Sequence, residues 1–515
     1  MRTPILLLAS VALAVAASGG SSATAAPYQA APPDHGQRTP APWDWGAASE
    51  QPHEAPPATP YDGVSYDDPG VNPFVPTDRD RESTFGLDVD TASYAIAQRY
   101  IHDGNPPDPA SVRVEEFVNA FEHDYPAPED GTFAIHADGG PTPFLDRDAV
   151  LLRIGVKARE VRESSRRDAS LTFVIDTSGS MAREDRLELV KRALEMLIGQ
   201  LDERDRIGLV VYGTHGEILL EPTSDHDAIR RTIARLTPSG STNAQEGLTL
   251  AYRLAERHYR RGEINRVVLC SDGVANVGRT GPESILASIG ESARRGIELT
   301  TVGFGMGNYN DVLMEQLADR GNGQYAYVDS LAEARKVFVE NLTSTLQTIA
   351  RDAKVQVEFE PSVVARYRLL GYENRDIADE RFRDDSVDAG EIGAGHAVTA
   401  LYEIKLQPNL PRNARIATLR LRYKDVDNGD RVREIEHVVY ARDIVSDWSE
   451  APRALRLATL TATFGEVLKR SDWAKEVNLD LLTRRIETLA SEMRNADVDE
   501  LALMARKAAR LLERE

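Results

Sequence analysis

Cysteine is almost missing from this chain. Cys270 is the only one in 515 residues, and it lies inside the apolar run VVLC. A disulfide framework is therefore excluded, and a bridge to another chain from within a buried strand is disfavoured. Long apolar runs are also scarce: past the N-terminus no stretch approaches the roughly 18 apolar residues that a membrane helix needs. Cations are short as well, with 61 Lys and Arg against 82 Asp and Glu, for a formal net charge of -21. Such a field repels phosphate backbones and anionic lipid, so nucleic acid is not an expected partner. The sequence carries no HExxH, Walker loop, G-x-G-x-x-G fingerprint or G-x-S-x-G elbow before a helix. The glycines of GFGMGNYN fall in a suggestive order but read best as a strand-to-helix turn.

What is present is enough chain for at least two cores plus linkers. The opening MRTPILLLASVALAVAASGGSSATAAP has one early Arg, a short apolar core and the small-residue run Ala23-Thr24-Ala25. These features predict a secretory signal peptide over residues 1–25, cut after Ala25, and hence a protein exported to the periplasm, cell envelope or exterior. No Cys follows to accept a lipid, so the mature chain is expected to be soluble. Residues 26–80, rich in Pro, Asp, Gly and Ala, read as a disordered tether.

Order is expected from STFGLDVDTASYA onward, with Asp90 at a helix N-cap, and residues 81–165 form a first segment of helices and strands. From 168 to 350 strands and helices alternate, and the strands are nearly continuous apolar runs. This pattern predicts an α/β fold with a doubly wound, mostly parallel sheet covered on both faces. From 351 to 445 the period drops to two, the signature of an antiparallel β-sandwich. The earlier strands TFAIHADG and LLRIGVKA can complete that sandwich, which would make the α/β domain an insertion. DVDNGDRVREIE resembles a calcium loop only superficially, because its Gly is out of register; Asn428-Gly429 reads as a hairpin turn. Residues 446–515 form a helical C-terminal segment.

The chemistry concentrates at LTFVIDTSGSM, where an apolar strand runs into Asp176, Ser178 and Ser180. In a doubly wound sheet ligands collect at the carboxyl ends of strands, where the strand order reverses. VVLCSDG ends with Asp272 in the equivalent place, and PSGSTN offers Thr242 just before a helix. Three loops can thus deliver five oxygen-bearing side chains to one spot. The set contains neither His nor Cys, which excludes a structural zinc site and favours Mg²⁺ or Mn²⁺. Hydroxyls of Ser178, Ser180 and Thr242 suit direct coordination, with Asp176 and Asp272 holding waters around the ion. An ion without a direct carboxylate stays electron-poor and can take one from a partner.

DTSGS, GSTN and SDG together resemble the von Willebrand factor type A (VWA) domain and its metal-ion-dependent adhesion site, whose pattern is DxSxS, then Thr, then Asp. All five positions match. The flanks STFGLDVDTASYA, VRVEEFVNAFEHDYP, LLRIGVKA, GYENR and DAGEIGAGHAVTALYEI, with the helical tail, resemble a bacterial group of exported YfbK-like proteins. That likeness runs over about residues 81–515. It departs from the group's lipoproteins in lacking a lipid-accepting Cys. The resemblance implies metal-dependent capture of a protein ligand that presents an Asp or Glu carboxylate, without fixing which ligand, and implies no enzymatic activity.

Three rival readings stand beside it. A phosphatase or other metal-dependent hydrolase would use Asp176 as nucleophile, but it needs a second acid two residues on, where Ser178 stands. A scaffold would use the metal only to stabilise the fold. A bare strand-to-helix turn would explain DTSGS by capping alone.

Overall fold

The computed structural model describes residues 66, 68–144, 149–273, 282–305, 311–340, 346–387 and 389–513. The expected signal peptide, and the expected tether up to residue 65, lie outside these residues.

The central domain grows from β5 (Ala169–Asp176), all eight residues of which are buried. Successive side chains point to opposite faces of the sheet. Leu171, Phe173 and Ile175 pack with Leu187, Val190, Leu194 and Leu197 of α3 (Arg186–Ile198). Val174 packs on the other face with Leu248, Ala251 and Leu254 of the helix Ala244–Arg257. Burial on both sides is why this strand reads as a continuous apolar run. The full sheet adds β6 (Arg206–Tyr212), β7 (Gly216–Thr223), β8 (Ile264–Ser271), β9 (Ile297–Phe304) and β10 (Tyr325–Val328), in the order β10-β9-β8-β5-β6-β7. All neighbours are parallel except β6 and β7. Because β5 lies between β8 and β6, the order reverses at the carboxyl end of β5.

The sandwich is built from both sides of this domain in sequence. One sheet runs β1-β12-β14-β4-β3, from β1 (Val75–Pro76), β12 (Val364–Leu370), β14 (Ala397–Leu406), β4 (Ala149–Ala158) and β3 (Phe133–Pro141). The other runs β13-β11-β15-β16, with β2 (Glu82–Gly86) also paired to β11 (Thr348–Phe359); its remaining strands are β13 (Gly390–Gly393), β15 (Arg415–Asp425) and β16 (Arg431–Tyr440). Leu152, Ile154 and Tyr402 of the first sheet share a core with Val355, Val357, Leu419 and Leu421 of the second. Strand β4 precedes the α/β domain and β14 follows it, yet they pair from Lys157–Ala397 to Ala149–Lys405. The α/β domain is therefore inserted into the sandwich. A third core joins Tyr94 of α1 (Ala92–His102), Phe117 of α2 (Val114–Asn119) and Phe121 to the C-terminal helices Arg453–Leu468, Leu479–Met493 and Ala496–Leu512.

Two local expectations are corrected. The tether does not extend to residue 80. Val75 and Pro76 pair with β12, Thr77 is buried with its hydroxyl donating to the Val364 carbonyl at 2.5 Å, and Phe74 meets Trp473 edge to face. A Pro-rich composition leaves such edge pairing invisible, because the partners are far away in sequence. Asp90 is not an N-cap: Thr91 occupies that position, and Asp90 instead accepts the Tyr325 backbone N–H at 3.1 Å. The expected hairpin turn at Asn428-Gly429 does join β15 to β16, which pair from Asp425–Arg431 outward; it is a short 3₁₀ segment (Val426–Asn428) closed by Gly429 at φ 70°.

Asp90 belongs to a buried ionic network that ties the inserted domain to its surroundings. Arg375 donates to Asp88 (3.0 Å), Asp319 (3.0 Å) and Glu315 (3.3 Å). Arg113 reaches Glu315 at 2.7 Å and Glu116 at 3.3 Å. Glu315 and Asp319 lie on the helix Asp311–Arg320 of the α/β domain, whereas both arginines come from outside that domain. Acids outnumber the two arginines here. Burial, reinforced by Asp88, pushes the Asp90 carboxyl well above the usual carboxylate range, with Arg375 opposing it.

Candidate metal-binding site

The carboxyl end of β5 leads into a 3₁₀ segment (Gly179–Asp185) and then α3. This sharp exit keeps Ser178 and Ser180 beside the sheet end. Their hydroxyl oxygens are 3.0 Å apart, and the Ser180 hydroxyl donates to Asp272 Oδ1 at 3.0 Å. Asp272 follows β8, the neighbour of β5 across the switch point. Ser178 and Asp272 are each 1% exposed and Asp176 is fully buried, so three groups that water would normally satisfy are held by the protein.

Asp176 lies beneath the hydroxyl pair. Its Oδ1 accepts the Ser178 backbone N–H at 2.8 Å, and its Oδ2 accepts the Ser271 hydroxyl at 2.9 Å. Burial pushes its carboxyl up to about 6; hydrogen bonds from Ser178 and Ser271 oppose that rise, and the charge of Asp272 adds to it.

Thr242 arrives on a third loop that is pinned to the loop after β5 and to the turn after β6. The Ser239 N–H donates to the Thr177 carbonyl at 2.5 Å, the Gly179 N–H to the Gly240 carbonyl at 3.1 Å, and the Asn243 N–H to the Gly213 carbonyl at 2.9 Å. Thr242 itself is half-buried, and among the described residues no hydrogen bond joins it to the other four. The structure thus brings Asp176, Ser178, Ser180 and Asp272 into one hydrogen-bonded cluster, with Thr242 on the loop docked against it.

The donor set fits a small hard cation. An octahedral Mg²⁺ with oxygens about 2.0–2.1 Å away places adjacent ligands roughly 3 Å apart. The Ser178–Ser180 separation of 3.0 Å matches that edge.

Sequence reasoning missed two residues here. Ser271 fixes the orientation of Asp176. Arg186 donates from Nη1 to Asp272 Oδ2 at 2.6 Å, and its side chain is only 3% exposed. A signal for Arg186 existed. It is the first residue of α3, where the positive end of the helix dipole disfavours a cation, so a buried Arg there calls for a carboxylate.

The chain is similar to several known proteins. Residues 171–274 match the von Willebrand factor type A domain, residues 61–153 a family described as von Willebrand factor, and residues 344–511 the C-terminal region of the uncharacterized protein YfbK. The chain is 40% identical over 345 residues to the uncharacterized protein YfbK of Escherichia coli (strain K12), covering 65% of this chain and 60% of that protein. It is 25% identical over 285 residues to the uncharacterized protein sll0103 of Synechocystis, covering 54% and 67% respectively. Among solved structures, a von Willebrand factor type A protein from Catenulispora acidiphila aligns with a TM-score of 0.44 at 15% identity, over 75% of this chain and 91% of that one. With a VWA match over residues 171–274 that carries DTSGS, GSTN and SDG, and a YfbK C-terminal match over residues 344–511, this chain is a YfbK-like protein with a VWA domain.

Proposed function

We propose that this chain is an exported, non-catalytic binding protein that captures a protein partner through a divalent cation, Mg²⁺ or Mn²⁺. Ser178, Ser180 and Thr242 would hold the ion, and Asp176 and Asp272 would orient its waters. A partner Asp or Glu would supply the last ligand. The observation that carries this reading is the run of 3.0 Å contacts from Ser178 through Ser180 to Asp272 at the switch point. Its oxygen-only chemistry suits such an ion and its place in the sheet suits a ligand.

Two further observations support binding over hydrolysis. Asp176, the nucleophile that a phosphatase reading requires, is fully buried with both oxygens engaged. Ser178 stands where a general acid would be needed. Export rests on the N-terminal sequence alone, although no helix among the described residues is long and apolar enough to cross a membrane.

Panning a displayed random-peptide library on the full chain in Mg²⁺, with elution by EDTA, tests the reading. The eluted peptides should share an acidic residue and should fail to bind Ser178→Ala, with affinity at least about a hundredfold weaker. Peptides that stay bound in EDTA, and bind the variant equally well, would contradict a cation-mediated mechanism.

A further inference from the structure

The two oxygens of Asp272 are divided between two partners. Oδ1 faces the Ser180 hydroxyl and Oδ2 faces Arg186 Nη1. The guanidinium therefore does not need the position between the serines, and it can keep its grip on Asp272 while a cation sits there. The backbone leaves room for it: Gly305, just past β9, has φ 74°, and a Cβ there would lie 2.6 Å from Arg186 Nε.

Among the described residues, the charged groups joined at the site are buried. Asp176 and Asp272 bring two negative charges and Arg186 one positive charge, all on residues at most 2% exposed. A divalent ion added to this set leaves a net positive site, whereas the two carboxylates alone would neutralise it. Only the first favours an anionic last ligand.

We propose that Arg186 is a positioning residue of the cation site: by holding Asp272 through Oδ2 it keeps that carboxylate from coordinating the ion directly, and so leaves a coordination position and a net positive charge for the partner's carboxylate. This inference rests on the binding reading above and adds what makes the site selective for an acid. Groups that hydrogen-bond to a metal's ligands and orient them act in this way at metal centres generally.

The test uses Mn²⁺ on the full chain, with two readouts: affinity by titration, and coordinated waters by solvent-proton relaxation. Arg186→Met should bind Mn²⁺ at least about tenfold tighter and carry fewer coordinated waters, because Asp272 swings onto the ion and a repelling charge is gone. Arg186→Lys, which keeps the charge and can keep the contact, should stay close to the wild type. Gly305→Ala displaces the guanidinium without removing it, so it should shift both readouts in the same direction by a smaller amount. It serves as the test if Arg186→Met does not fold. Wild-type affinity and hydration retained in Gly305→Ala and in any folded Arg186→Met would overturn this inference alone. Failure of the wild type to bind millimolar Mn²⁺ would overturn the cation site itself.

Discussion

Arg375→Met is expected to cost the folded chain about 3–5 kcal/mol, the usual penalty for removing one partner of a buried ion pair. Arg375 faces four carboxylates: Asp88, Asp319 and Glu315 within hydrogen-bond reach and Asp90 at 3.8 Å. Without the guanidinium these acids repel one another, and all but Asp319, which is 44% exposed, are largely shielded from water. The side chain of Arg375 is 16% exposed and those of Asp88 and Asp90 are 5% and 7%. Methionine fills similar volume, so the loss reads charge rather than a cavity. Urea unfolding of the wild type, Arg375→Met and Arg375→Lys measures it. The lysine variant should fall between the two, since one ammonium cannot fork to several acids. A loss under about 1 kcal/mol for methionine would mean that the acids are neutral or solvated and that the network does not hold the domains together.

A second large effect is expected in acid. The His123 Nε2 is 2.9 Å from the Val118 carbonyl, so it carries the proton, and Nδ1 is buried without a well-formed hydrogen bond among the described residues. Burial lowers this imidazole from 6.5 to about 4. Above pH 6.5 it is neutral whether folded or unfolded, and its full contribution to stability is present. Between pH 6.5 and 4 the unfolded chain takes up a proton that the folded chain refuses, so stability falls as pH falls, by up to about 3 kcal/mol. Glu373 works in the opposite sense. Burial pushes it up to about 7, and what it contributes is present below pH 4.5 and lost as pH rises toward 7. A single titration of the wild type mixes such terms, and the comparison with His123→Gln separates them. The stability gap between wild type and variant should shrink by about 2–3 kcal/mol between pH 7.5 and 4.5. A gap that does not change with pH would show that His123 takes up its proton equally in the folded and unfolded chain, as a solvated imidazole does.

Much of the architecture was legible because it is written in local periodicity. Strand β5 is apolar throughout because both of its faces are covered, and that run ends where Asp176 begins. The alternation of strands and helices pointed to the switch point, and the switch point to Asp272. What stayed hidden depends on pairings between distant residues. Arg113 and Glu315 are 202 positions apart, and nothing near either residue announces the other. Asp90 looked like a helix cap because Asp favours that role, but a tertiary contact with Tyr325 outweighed the local preference. Arg186 read as one cation on an amphipathic helix; only its first-turn position hinted at a buried acid. The candidate site was legible as a set of residue types and spacings, whereas the division of Asp272 between Ser180 and Arg186 required coordinates.

The most direct test of the central claim, that Asp176, Ser178, Ser180, Thr242 and Asp272 form a divalent-cation site, is a thermal melt of the full chain in EDTA and in excess Mg²⁺ or Mn²⁺. Ser178→Ala is run beside it. A cation present at about a hundredfold over its dissociation constant should stabilise the wild type by roughly 2.7 kcal/mol, and the variant should melt at the same temperature in both buffers. Identical melts for the wild type with and without cation, or an equal rise in Ser178→Ala, would contradict the account.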